Sequence, residues 1–93
     1  MVQVRSLCEL RRHVHETLCR HENLVPEQFD LQEIPLTRLG ERCGTQFVLR
    51  GPRNVRLGAV WAADQNQLYF YDARGERFRK EQLSGRPAET ATA

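Results

Sequence analysis

Lysine is almost missing from this sequence: of 14 basic residues, Lys80 is the only one and the other thirteen are arginines. Serine is nearly as scarce, with Ser6 and Ser84 alone, so serine-nucleophile chemistry has little to draw on. No apolar run approaches the roughly 18–20 residues that a membrane span requires. Met1 to Leu10 holds neither an apolar h-region nor a small-residue cleavage site, so no secretory signal is expected. A glycine-rich phosphate loop, a G-x-S-x-G elbow, an H-E-x-x-H pair and an internal repeat are all missing too. Cys8, Cys19 and Cys43 make an odd number with no C-x-x-C spacing, which points to reduced thiols in a cytoplasmic protein rather than a disulfide framework.

What is present fits one small globular unit. The chain has 93 residues, 40% hydrophobic and 28% charged, with a net charge of +2. A chain of this length buries roughly 65% of its unfolded surface, enough for one modest core. Residues 1–83 are expected to form a single α+β domain. Residues 84–93, small and polar without pattern, read as a disordered C-terminal tail.

Residues 6–22 read as an amphipathic N-terminal helix. Ser6 and Glu9 form an S-x-x-E capping box, and Leu7, Leu10, Val14 and Leu18 recur at helical spacing as one apolar stripe. Residues 23–44 form an acidic, apolar-rich connector that Pro26 and Pro35 interrupt. Short helical turns are expected near 26–30 and 36–42, ending around Gly44, with the connector covering one edge of a sheet.

Residues 45–83 divide into four strands at three turn signals, Gly51-Pro52-Arg53-Asn54, Ala63-Asp64-Gln65-Asn66 and Asp72-Ala73-Arg74-Gly75. Asn54 and Gly75 are expected to take the left-handed places of their turns. The turns set Leu49 opposite Leu57, Phe47 opposite Ala59, Trp61 opposite Leu68, Ala59 opposite Phe70 and Phe70 opposite Phe78. All three registers put Phe47, Leu49, Leu57, Ala59, Trp61, Leu68, Phe70 and Phe78 on one face, and a slip of one residue would destroy that agreement. The expected architecture is the N-terminal helix packed on a four-stranded antiparallel β-meander.

The opposite face would carry Val48, Arg50, Arg56, Gly58, Val60, Tyr69, Tyr71, Arg77 and Arg79, with Tyr69 across from Arg79 and Tyr71 across from Arg77. Interfaces favour Tyr and Arg over Lys. Arg50, Arg56, Tyr69, Tyr71, Arg77 and Arg79 are therefore the candidate partner-binding residues of a non-catalytic adaptor domain that docks a protein partner or forms a homodimer. The same residues could instead stack and neutralise single-stranded nucleic acid. They could also be ordinary cross-strand pairs with Arg lying over Tyr.

A third reading uses Cys8, His15 and Cys19, which project in nearly one direction from the helix. Cys8 and Cys19 would stand roughly 16 Å apart at 1.5 Å per residue, so one ion cannot reach both. Only His15 and Cys19 could share a metal, with Cys43 and His21 folded in to complete the set. The same two residues are the only Cys–His pair available to thiol catalysis, and no orienting third group is evident. No metal, cofactor or enzymatic activity is therefore expected, and no membrane partner.

Overall fold

The computed structural model describes residues 2–84. The expected tail lies outside the described residues from 85 onward, while Ser84 closes the last strand. One helix, α1 (Leu7–His21), packs on a sheet of β1 (Val2–Gln3), β2 (Leu31–Arg38), β3 (Glu41–Arg50), β4 (Arg56–Ala62), β5 (Gln67–Tyr71) and β6 (Arg77–Ser84). The spatial order is β1-β6-β5-β4-β3-β2. β2 to β6 form a five-stranded antiparallel meander, and two-residue β1 adds in parallel to β6.

The helix begins and ends where its free backbone groups find local partners. Ser6 Oγ accepts the Glu9 N–H at 3.2 Å, and Glu9 Oε2 turns back to accept the Arg5 N–H at 2.7 Å. The reciprocal bond of the capping box thus falls one residue earlier than Ser6 itself. At the other end Asn23 takes φ +56°, and Leu24 N–H reaches Cys19 O at 2.7 Å while Asn23 N–H reaches Arg20 O at 3.3 Å. These two bonds make a Schellman cap with Asn in the left-handed position usually held by Gly.

The sequence registers hold at two of the three hairpins. Phe47↔Ala59 and Leu49↔Leu57 pair across β3 and β4, and Ala59↔Phe70 and Trp61↔Leu68 pair across β4 and β5. Phe47, Leu49, Leu57, Ala59, Trp61, Leu68 and Phe70 are buried against Leu10, Val14, Leu18 and Cys19 of α1. Asn54 and Gly75 are left-handed, at φ +65° and +82°. Arg53 is left-handed as well, at φ +58°.

Two expectations fail for a reason each. Residues 36–42 form no helical turn; Leu39-Gly40 closes the β2–β3 hairpin, with φ +54° and +83° and Arg38 paired to Glu41. The strand count is therefore five in the antiparallel part, not four. Pro35 is tolerated because β2 is the sheet edge, where a missing N–H need not break a ladder. A bulge at Leu36/Thr37 then leaves Cys43 as the extra residue before Gly44. Gly44 has no room for a side chain, since a Cβ there would stand 2.2 Å from Trp61 O. It is a mid-strand glycine rather than the end of a helical turn.

The second failure is Phe70 opposite Phe78. A bulge beyond Tyr71↔Arg77 makes Phe78 the extra residue and pairs Phe70 with Arg79, Tyr69 with Lys80 and Leu68 with Glu81. Phe78 still turns to the helix side, where it stacks on His21 at 3.8 Å between ring centroids. The shift also brings Glu81 under α1. There Oε1 accepts from His13 Nε2 at 2.6 Å, and Oε2 lies 2.7 Å from Arg79 Nε in an ion pair too misaligned to count as a hydrogen bond.

The β4–β5 loop is fastened from within. Asn66, buried and at φ +53°, accepts from Trp61 Nε1 at 3.1 Å and donates to Leu83 O at 3.3 Å. Asn66→Ala removes both bonds and leaves the buried indole N–H unpaired, so a loss of roughly 2–3 kcal/mol is expected in urea unfolding. Leu39 presents the opposite case. It is 98% exposed in a left-handed position that a branched side chain resists, and Asn-Gly suits a two-residue hairpin better. Leu39→Asn should stabilise by about 1 kcal/mol, read as a thermal midpoint raised by roughly 4–8 °C.

A candidate docking face on the open side of the sheet

The face away from α1 is built in rows by the registers. One row runs Gln32–Val48–Gly58–Tyr71–Arg77, the next Ile34–Gln46–Val60–Tyr69–Lys80, and a third Leu36–Gly44–Ala62–Gln67–Gln82. Arg50 and Arg56 pair directly above the first row. The connector does not cover this surface, because it became the edge strand β2 of the same sheet. Val48, Gly58, Val60, Tyr69 and Tyr71 are half-buried by their neighbours, Gln46 is exposed, and Ile34 is 44% exposed.

Five of the six candidate residues gather here. Arg50, Arg56 and Arg77 are exposed along the top and one side, around Tyr69 and Tyr71. Arg79 does not join them. The β6 bulge pairs it with Phe70, whose side chain is in the core, and sends it to the helix side and Glu81. Lys80 takes the place expected for Arg79. Its Nζ lies 5.8 Å from the Tyr69 ring centroid, and Arg77 reaches diagonally across to the same ring at 5.4 Å. The expected lying of Arg over Tyr is therefore found, but at Tyr69 rather than at the directly opposed Tyr71. The Tyr69 hydroxyl donates to Gln67 Oε1 at 2.6 Å, with Gln65 Oε1 3.1 Å away.

The upper part of the face is concave. An open groove of about 480 Å³ has Gly58 in its floor, Val48, Val60 and Tyr71 on its sides, and Arg56 with the Asp72–Gly75 turn as its rim. Sequence reasoning found the groove's strands but missed the turn as a wall. The bonds that raise that wall are local: Asp72 Oδ1 accepts the N–H groups of Arg74 at 2.9 Å and Glu76 at 3.0 Å.

The three rows carry charge of one sign. None of the residues in the three rows is acidic, and Arg50 and Arg56 are like charges set opposite one another, an unfavourable cross-strand pair by itself. Among the described residues neither has a carboxylate partner. Two of the sheet's carboxylates are engaged on the helix side instead, Glu33 with Arg11 at 2.5 Å and Glu81 with His13 and Arg79.

The cysteine–histidine row on α1 separates into three environments. Cys8 is exposed, Cys19 is buried, and His15 Nε2 donates to Phe29 O at 2.6 Å. Cys43 sits in the β3 bulge, and no cluster of three metal-ligating side chains occurs among the described residues. No described helix is long and apolar enough to cross a membrane. No protein-family model, curated protein or solved structure matches the chain.

Burial pushes the Cys19 thiol up from its ordinary value of 9.0, and the Glu27 carboxylate pushes the same way. The folded thiol thus holds its proton more tightly than the unfolded one. Its contribution to stability is full below the unfolded value and declines as pH rises past it. Thiol labelling of the native protein should modify Cys8 first and Cys19 only after unfolding. The alkaline fall in urea midpoint above about pH 9 should flatten in Cys19→Ala.

Proposed function

We propose that this chain is a small, non-catalytic binding domain that docks a protein partner through the open face of its sheet. The observation that carries this reading is the one-sided cover of the sheet: α1 covers the centre of one face, and the other keeps a row of apolar and tyrosine side chains under no part of the described chain. An exposed patch rimmed by polar groups and rich in Tyr and Arg has the composition of a protein interface. Three free thiols support a reducing, cytoplasmic setting.

Self-association is the less favoured form of this reading. A second copy would present rows with no carboxylate for Arg50, Arg56, Arg77 or Lys80, and its rim Asp72 holds its own turn through Oδ1. Light scattering should therefore give a mass near 10.8 kDa. Single-stranded nucleic acid is disfavoured by Tyr69, whose ring already carries two cations and whose hydroxyl is bonded within its own hairpin.

Photo-crosslinking tests the face directly. A benzophenone side chain at exposed Gln46, on the outer face, should give discrete adducts to a partner in cells, and one at exposed Arg12, on α1, should not. No adduct from Gln46, or the same adducts from both positions, would overturn the reading.

A further inference from the structure

The geometry points to the chemistry of the partner: an acidic segment that places one apolar side chain in the groove above Gly58 and its carboxylates on Arg56, Arg74 and Arg50. This rests on the docking reading above and goes further by naming what docks. The groove opens where the sheet has least side chain. Gly58 leaves its floor at backbone level, with a hypothetical Cβ already 3.3 Å from Phe47 O, and Val48, Val60 and Tyr71 make the surrounding wall apolar. An aliphatic or aromatic side chain of the partner can therefore be buried there.

The rim then selects charge. Arg56 and Arg74 border the groove, and Arg50 stands directly across from Arg56. Asp72, the one acid lining it, has Oδ1 committed to the backbone of its own turn. Two guanidinium groups on the rim, with a third across from Arg56, thus await oxygen acceptors, and arginine's planar fork matches a carboxylate in two parallel bonds. The repulsion between Arg50 and Arg56 is relieved when an anion sits between them. The chain's own segment beyond Ser84 does not fit. Residues 85–93 contain one glutamate balanced by one arginine, and no side chain larger than proline among their apolar residues.

Fluorescence anisotropy with a labelled Glu-Asp-Glu-Leu-Glu-Asp-Glu peptide tests this on the full chain. Saturable binding is expected, weakened at least fivefold when the peptide's Leu becomes Ser and severalfold between about 50 and 300 mM salt. Arg56→Glu combined with Arg74→Glu should weaken it at least tenfold, and Arg12→Glu on the helix should leave it unchanged. All three arginines are exposed, and circular dichroism would verify that each variant folds. Failure to bind, equal loss in the groove and helix variants, or tighter binding of a dodecathymidylate strand than of the peptide would each overturn the proposal. If Gln46 still crosslinks a partner while the peptide neither binds nor competes, the acidic chemistry is wrong and the docking reading stands. If Gln46 gives no adduct either, both fall.

Discussion

Leu10, Val14 and Leu18 on one side and Phe47, Leu49, Leu57, Leu68 and Phe70 on the other are each at most 1% exposed, and this contact organises the molecule. It is also limited in extent. A helix of 15 residues is about 22 Å long and about 10 Å across, whereas five strands spaced by about 4.8 Å span roughly twice that width. One such helix covers the centre of one face and nothing else. Peripheral contacts on the same side include polar ties, Arg11 to Glu33 toward β2 and His13 to Glu81 toward β6, beside the His21–Phe78 stack. Among the described residues the second face has no helix to meet, and a sheet in that position must be solvated, occupied by a partner, or both.

Legibility of the fold followed the same contact. Where both neighbours of a strand are paired and one face is buried, side-chain alternation is clean, and the turns 51–54 and 63–66 with their registers could be read from residues 47–70. β2 escaped because it is an edge. Leu31 faces inward while Ile34 and Leu36 face outward, so its apolar residues draw no period-two stripe, and Pro35 argued for a break. Leu39-Gly40 was equally hard to recognise. Gly supplies one of the two left-handed residues of a tight hairpin, but Leu is a poor choice for the other. In contrast, Asn23 and Asn66 are residues whose left-handed tolerance was available in the sequence, and whose roles as helix cap and buried clamp required the tertiary partners to be seen.

Most of the candidate face was legible for the same reason as the core, since a correct register fixes both sides of a sheet at once. Its error at Arg79 has a single source. A bulge after Tyr71↔Arg77 inverts every side chain of β6 beyond it relative to the unbulged reading. That inversion carries Arg79 away and brings Lys80 to Tyr69. It also sends Glu81, which would otherwise have neutralised the outer face, into a buried ion pair beneath the helix. The bulge therefore does more than displace one candidate: it leaves the open face without acid in its rows.

The scarcity of lysine gains meaning in that setting. An exposed lysine keeps a strongly hydrated ammonium on a flexible stem, which suits a surface that only has to remain soluble. A guanidinium is more weakly hydrated, stacks on aromatic rings and engages planar anions through paired bonds, so it loses less on being covered. On the outer face Arg77 already uses ring stacking against Tyr69, while Arg50 and Arg56 are set where only paired bonds to an anion can offset their mutual repulsion. A surface selected for solvation alone would gain from one acidic residue among these rows. The arrangement present is better matched to a surface that is completed by oxygen acceptors from outside the chain.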